Sequence, residues 1–330
     1  MKKIFIFSMI FLLVAAAGAL EAKEIKKNFH ESFNVANGDT LRLRHGDGNV
    51  LIRPWDRDTI DITVRYHVNE TTVGIGPKHD FDVEFRQSGN TVYVLEKRRS
   101  GLIVGFHNRK TFEYVYEIKA PDYIRLDTDG DDGNIDIEQW RGTIDCRMDD
   151  GDIHFRDIDN EQTSIRANDG DIHISELRGD LTIKCDDGDI EMEDCRSETI
   201  RLEAEDGKLT VRNCSGAFFV RIDDADVEFQ RTMADELEII GNDGNIDLDL
   251  LRADNIDAVI RMDDGDVDVR LERGFSLSFS TRTDDGRVRI NLRDIDNFEE
   301  EKHIKSGEIN GGKGSLRIHT NDGRISISER

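Results

Sequence analysis

The chain has little positive charge and few aromatic side chains. Its 330 residues include 45 lysines and arginines against 70 aspartates and glutamates, which gives a net charge of −25 at pH 7. Because binding to phosphate backbones requires a basic surface, this imbalance argues against a nucleic-acid partner and favours a basic partner or bound cations. Hydrophobic residues make up 37% of the chain and aromatic residues 7%. This is lean for a globule of such length and agrees with a thin fold that has a narrow core.

Long apolar runs are absent after the first 22 residues. Two lysines precede an apolar run over residues 4–14, and small residues lead to a cleavage site after Ala19 or Ala22. This order is typical of a secretory signal peptide, and the run is shorter than the about 20 apolar residues of a membrane span. We therefore expect residues 1–22 to be a signal peptide and the chain to be exported, to the periplasm, the cell surface or the extracellular space. No cysteine lies near the cleavage site, so we do not expect a bacterial lipid anchor.

An Asp-Gly turn recurs along most of the chain. Consecutive copies are 18 to 21 residues apart, and one copy has alanine in place of glycine. The residues at this turn position are Gly133, Gly151, Gly170, Gly188, Gly207, Ala225, Gly244, Gly265 and Gly286. A fixed period of about 20 residues is typical of a solenoid, in which each coil buries its core by stacking on its neighbours.

Apolar residues alternate on both sides of each turn. The coil around Gly188 has them at Leu181, Ile183, Cys185, Ile190 and Met192. Alternation with a period of two predicts two short strands per coil, each with one buried face. We therefore predict an all-β fold, a parallel β-solenoid of about 19-residue coils over residues 123–330.

The region before residue 123 departs from this period. An early copy of the turn occurs at Gly48, and residues 58–120 hold longer alternating runs. We predict that residues 23–122 form an N-terminal β region containing the first coil and an antiparallel cap, because an open solenoid end is an exposed strand edge. Near the other end, residues 306–315 are interpreted as a loop between the coils of Gly286 and Gly323.

These features together resemble a known family. They are the exported start, the early copy Gly46-Asp47-Gly48-Asn49-Val50, the β segment ending in Ala120-Pro121, and the serial Asp-Gly-(Asp/Asn)-(Ile/Val) turns. The chain resembles a bacterial adhesin family of unknown function, related to the heads of autotransporter adhesins. The resemblance covers nearly all of the chain after residue 22. It implies an exported β-solenoid with an adhesive role, and it brings no catalytic residues.

An aspartate precedes the turn position in every coil. The set comprises Asp132, Asp150, Asp169, Asp187, Asp206, Asp224, Asp243, Asp264 and Asp285. Aspartate in a turn accepts hydrogen bonds from nearby backbone N–H groups, which is one interpretation. The other is a ladder of calcium sites, because stacked carboxylates repel one another and calcium prefers oxygen ligands. No cofactor other than this possible calcium is indicated.

Two further columns of outward side chains follow from the repeat. The first is basic and contains Arg147, Arg166, Lys184, Arg221, Arg261 and Arg282. We expect it to form salt bridges beside the acidic turns, and the alternative is a groove for an acidic glycan. The second column contains Asp136, His154, His173 and Glu191. His154 and His173 are a candidate transition-metal site, with ordinary polar surface as the alternative.

Two smaller features complete the candidate residues. The segment 97–110 is predicted to be a loop for docking a partner or a membrane surface, or a hairpin packed on the cap. Its basic and apolar residues are Arg98, Arg99, Leu102, Ile103, Val104, Phe106, Arg109 and Lys110. Cys195 and Cys214 occupy the same position in adjacent coils, about 4.8 Å apart, so this is the pair predicted if any disulfide forms. The alternative is that these two, with Cys146 and Cys185, are small core residues.

The function expected from these observations is non-catalytic. The coils are uniform and the aspartates are spread through turns rather than gathered in a cleft. We predict an adhesin-like or scaffold protein that binds an unknown cell-surface protein or glycan. A polysaccharide-active β-helix enzyme and a calcium-stabilised structural module are the alternatives.

Overall fold

The computed structural model describes residues 21–75, 81–97, 104–253 and 255–330. Every regular element in these ranges is a strand, so the prediction of an all-β chain is confirmed. The strands are β1 (Glu21–Asn34), β2 (Thr40–His45), β3 (Asn49–Pro54), β4 (Thr59–Ile75), β5 (Val83–Ser88), β6 (Thr91–Glu96), β7 (Val104–Ala120), β8 (Arg125–Gly130), β9 (Ile135–Trp140), β10 (Ile144–Asp150), β11 (Ile153–Asp169), β12 (Ile172–Asp187), β13 (Ile190–Glu193), β14 (Arg196–Arg212), β15 (Ser215–Asp243), β16 (Ile246–Leu250), β17 (Asp257–Asp264), β18 (Val267–Leu271), β19 (Leu277–Asn291), β20 (Ile295–Glu300), β21 (Ile304–Ile309) and β22 (Gly314–Glu329). The predicted signal peptide lies outside the described residues except for its last two positions, which begin β1.

Consecutive coils pair side by side in parallel, in the register of the sequence repeat. Cys146 pairs with Ile165, Ile165 pairs with Ile183, and Ile183 pairs with Leu202. All four side chains are fully buried. Each repeat position therefore becomes a column of side chains along the stack, and the inward columns form one continuous apolar core.

The turn glycines stack too closely to carry a side chain. Gly151 and Gly170 have φ of 118° and 113°, and a Cβ on Gly170 would lie 2.4 Å from the carbonyl oxygen of Gly151. Such a contact is impossible without moving the backbone, and positive φ itself favours glycine. Ala225 is tolerated because its φ is not positive and β15 runs unbroken through this turn.

The corner of the coil opposite the glycine turn adopts a left-handed backbone conformation without glycine. Six consecutive coils place a non-glycine residue in the left-handed region there, with φ between 51° and 56°. These residues are Gln139, Asp157, Glu176, Asp194, Asn213 and Arg231. All six are polar, but only Asp157, Asp194 and Asn213 belong to the residue types that favour positive φ, so the sequence signal for this corner was weak.

The first coil, around Gly48, lies between the stack and the N-terminal strands. Strands β2 and β3 pair in parallel with β8 and β9 on one side and with β6 and β7 on the other. Strand β4 pairs antiparallel with β7 and β1, and β5 pairs antiparallel with β6. Strands β4 to β7 thus cover the first coil: β6 and β7 pair with it in parallel, and β5 and β4 pair with them antiparallel.

The C-terminal end departs from chain order. Strand β22 pairs in parallel with β17 and β18 on one side and with β19 on the other. The coil of Gly323 is therefore inserted between the coils of Gly265 and Gly286, which the sequence pattern had placed side by side. Residues 306–315 are also not a plain loop: β21 ends at Ile309 and pairs antiparallel with β19 and β20.

Candidate binding surfaces

The turn aspartates form an exposed acidic column. Asp150 pairs in register with Asp169, and Asp169 with Asp187. The pKa of Asp169 is raised, first by loss of solvation and then by the charges of Asp150 and Asp187. The pKa of Asp206 is raised in the same way, with Asp187 and Asp224 as the charged neighbours. Across the described residues, no three His, Cys, Asp or Glu side chains are placed to hold a metal ion. The calcium ladder stays a prediction.

The residue after the turn glycine has a structural role that sequence reasoning missed. The Asp152 side chain accepts a hydrogen bond from the backbone N–H of Asp171 at 3.2 Å, and Asp171 accepts one from Asp189 at 3.0 Å. Asp189 accepts one from Lys208 at 2.9 Å. Asn134 and Asn245 serve the same purpose in other coils. Where it is present, the Asp or Asn that follows the turn glycine therefore links its turn to the next, and the frequency of these two residue types at this position was the available signal.

The basic column pairs mostly with strand carboxylates rather than with the turn aspartates. Arg147 and Arg166 lie 3.4 and 3.8 Å from Asp145, and Lys184 contacts Glu203. In the last coils, Arg282 pairs with Asp284 beside the turn. The predicted salt-bridge network is present, but the partners differ because side chains two residues apart on a strand share one face.

Arg221 is the exception in this column. Its register neighbour Glu203 is already paired with Lys184, and no carboxylate of the described residues lies within ion-pair distance of Arg221. Next to it, the guanidinium of Arg201 lies over the ring of Phe219, 5.3 Å from the ring centroid. A small groove of about 180 Å³ lies here, lined also by Glu238 and Ile240. We call Arg201, Phe219 and Arg221 the arginine–phenylalanine patch.

The histidine column is assembled as predicted. The rings of His154 and His173 stack at 5.0 Å with an interplanar angle of 14°. His173 Nδ1 lies 3.2 Å from Glu191, which also pairs with Arg212, and Asp136 pairs with Arg53. The carboxylates that would complete a metal site are thus paired with arginines. A metal at His154 and His173 stays a prediction.

The segment 97–110 is only partly described. Arg98, Arg99, Leu102 and Ile103 lie outside the described residues. Val104, Phe106, Arg109 and Lys110 belong to strand β7, which pairs antiparallel with β4 as far as Ile75. The loop interpretation is therefore wrong for residues 104–110, because the antiparallel pair of β4 and β7 extends to Val104. Lys110 is exposed and its Nζ lies 5.1 Å from the ring centroid of Phe112.

All four cysteines are buried free thiols in the structure. Cys195 and Cys214 are neighbours, with the backbone N–H of Cys195 donating to Cys214 Sγ at 3.4 Å. The hydrogen bond from the Cys214 thiol lowers the pKa of Cys195, and burial raises the pKa of Cys146 to about 12. The disulfide between Cys195 and Cys214 stays a prediction.

A second groove, not foreseen from the sequence, lies at a coil corner. It measures about 640 Å³ and is open to solvent. Its charged lining residues are Glu161, Asp180, Arg196, Glu198 and Asp235. Small residues at the corners of consecutive coils, Gly179, Ser197, Ser215 and Gly216, also line it.

Comparison with known proteins assigns the family. The model of the Toastrack DUF4097 family matches residues 39–328. The chain belongs to the Toastrack DUF4097 family. This agrees with the expected resemblance to adhesin-type proteins of unknown function. No curated protein matches the chain.

The solved structures that are similar to this chain share little of its sequence. A protein from Clostridium sporogenes named for cell adhesion is 10% identical, with 93% of this chain and 100% of that chain covered and a TM-score of 0.22. A protein from Bacteroides fragilis named as an adhesin is 9% identical, with 91% and 97% covered and a TM-score of 0.39. A protein from Parabacteroides distasonis named for lipid binding is 8% identical, with 91% and 96% covered and a TM-score of 0.39. Within the described part of this family member, no helix has the length and apolar character needed to cross a membrane.

Proposed function

We propose that this protein is a non-catalytic, exported, adhesin-like protein that binds a cell-surface glycan through the arginine–phenylalanine patch. The observation that carries the proposal is the unpaired state of Arg221. Its column is otherwise paired over most of its length, and two guanidinium groups flank a half-buried aromatic ring at this point. A surface that leaves cations unpaired on a chain of net charge −25 is suited to an anionic ligand.

The chemistry of the patch favours a glycan that contains uronic acids. The ring of Phe219 offers an apolar face on which a sugar ring packs, and guanidinium groups bind carboxylates through two parallel hydrogen bonds. Glu203 and Glu238 border the groove and can accept hydrogen bonds from sugar hydroxyls. Because the groove measures only about 180 Å³, it suits one unit of a polymer chain rather than an enclosed small molecule.

The test is a binding assay with polygalacturonate, run together with a turnover assay. We expect saturable binding to the protein lacking residues 1–22, weakened by Arg221→Ala, with no release of reducing ends. Arg166→Ala is the matched control, since Arg166 lies in the same column but faces Asp145. Binding that is unaffected by Arg221→Ala, or the absence of binding to any uronate polymer, would exclude this function.

A second candidate function rests on the corner groove. Clustered carboxylates beside an arginine are the side chains that polysaccharide lyases and hydrolases use for acid–base chemistry. Glu161, Asp180, Arg196 and Glu198 line this groove. Release of sugar in the turnover assay, abolished by Glu198→Gln and unchanged by Arg221→Ala, would replace the adhesin proposal by an enzyme.

We further propose that residues 123–330 act as one β-solenoid, with residues 23–122 as its cap after export removes residues 1–22. The parallel register of the coils and the core column support this organisation. A calcium-stabilised module remains compatible with the raised pKa of Asp169. A melt with calcium and with chelator tests it, since a ligand of the folded state raises the midpoint.

A further inference from the structure

The last coil of the stack is covered over only half of its length. Residues 277–282 of β19 pair with β22 on one side and with β21 on the other. Residues 286–291 of β19 pair with β22 alone, and no other described strand lies on their outer side. We call residues 286–291 the open edge. Such an edge presents unpaired backbone N–H and C=O groups that can accept an added strand.

The apolar column of the core is exposed at this edge. Val288 and Ile290 are only partly buried, whereas their register partners Ile325 and Ile327 on β22 have 0% exposure. In every earlier coil the same positions are covered by the next coil. The open edge therefore lacks one layer of apolar side chains, and burying it would contribute free energy by the usual hydrophobic effect.

The charges of the open edge indicate what covers it. Arg287 and Arg289 are exposed and have no carboxylate partner among the described residues. Arg287 lies in register with another arginine, Arg324, on β22. Arg324 turns to its other neighbour, where it pairs with Asp266 and Asp268 at 3.1 Å. Inside the stack, an arginine at this position is thus matched by aspartates of an adjacent strand.

We propose that the open edge binds an extended segment of a partner protein in which acidic and apolar residues alternate, added as a further strand. Its backbone pairs with residues 286–291, its apolar side chains cover Val288 and Ile290, and its carboxylates pair with Arg287 and Arg289. A second copy of this edge is disfavoured, because antiparallel self-pairing places arginines opposite arginines. The proposal concerns a surface separate from the arginine–phenylalanine patch.

The probe is a fluorescent, end-capped hexapeptide Asn-Ile-Asp-Leu-Asp-Leu, the sequence of residues 245–250. These residues carry the required alternation, and Asp247 pairs with Arg270 within the stack. We expect saturable binding to the protein lacking residues 1–22. The double substitution Arg287→Glu with Arg289→Glu should weaken it by at least about tenfold, as expected for two lost charge pairs and new repulsion. Arg178→Glu, a single charge reversal on a distant exposed corner, should leave it unchanged.

A charge swap and a backbone block complete the test. The peptide Asn-Ile-Lys-Leu-Lys-Leu should bind the double variant better than the wild type, and N-methylation of alternate amides should abolish binding of the aspartate peptide. The proposal is overturned if wild-type protein does not bind the aspartate peptide, or if the double variant binds it equally well. Self-association in sedimentation analysis that Val288→Lys disrupts would instead assign the edge to a second copy.

Discussion

The turn glycines leave no room for a side chain between consecutive coils. At Gly170, a side chain would need both a positive φ and space now filled by the carbonyl of Gly151. At Gly38, φ is 91° but no atom lies within 4 Å of the point that a Cβ would occupy. These two glycines separate the cost of backbone conformation from the cost of the close approach.

Replacing Gly170 with alanine should therefore destabilise the fold more than replacing Gly38. We expect Gly38→Ala to cost about 1 kcal/mol, the strain of a left-handed residue, and Gly170→Ala to cost clearly more than about 2 kcal/mol because the turns must separate. Urea unfolding of both variants measures the difference. Equal losses would mean that the turns stack less tightly than the structure shows.

The carboxylate of Asp171 should matter as a hydrogen-bond acceptor and not as a charge. Asp171→Asn keeps an oxygen for the N–H of Asp189 and should be close to neutral, whereas Asp171→Ala should lose about 0.5–1.5 kcal/mol. Thermal melts of the two variants decide this. An asparagine variant as unstable as the alanine variant would show that the charge is what counts.

Asp169 should behave in the opposite way, as a source of repulsion. Its pKa in the folded protein is raised above the unfolded value, so its contribution to stability is present at low pH and is lost as pH rises through the folded pKa. Asp169→Asn should therefore raise the melting temperature at pH 7, and the gain should shrink on acidification and at high salt. A gain that is constant with pH would point to another cause.

At the scale of strands, the sequence predicts most of each coil but not the order in which the last coils stack. The alternation around Gly188 predicted the buried positions of its coil, although several strands run unbroken through the corners. The nearly constant period predicted the register that brings Cys195 beside Cys214. The insertion of β22 could not be predicted, because the coils of Gly265, Gly286 and Gly323 present nearly the same apolar columns to one another. The arginine–phenylalanine patch was also missed, since only the pairing of Glu203 with Lys184 leaves Arg221 unpaired.

Removal of residues 314–330 tests the inserted coil. In a stack where each coil contacts only its neighbours, loss of β22 should expose β17, β18 and β19 together and leave coils before residue 230 intact. Hydrogen exchange should show lost protection over residues 257–291 and unchanged protection over residues 144–212. Native protection of residues 257–271 in the truncated protein would contradict the observed strand order.

At the scale of the whole molecule, the two proposed binding surfaces are basic although the stack is strongly acidic. Arg201 and Arg221 flank an aromatic ring on one face, and Arg287 and Arg289 mark the open edge at the C-terminal end. The net charge of −25 repels other acidic surfaces at a distance. Anionic ligands should therefore be selected at short range, where these guanidinium groups act, and their binding should weaken as salt screens the attraction.

The most direct test of the proposed function is a hydrogen-exchange footprint of the protein with oligogalacturonate. Bound ligand should slow exchange in residues 199–204 and 217–222, the segments that carry the arginine–phenylalanine patch. Arg221→Ala should remove this effect while Arg166→Ala preserves it. Protection confined to the corner groove around residues 196–198, or no protection at residues 217–222 under saturating ligand, would contradict the account.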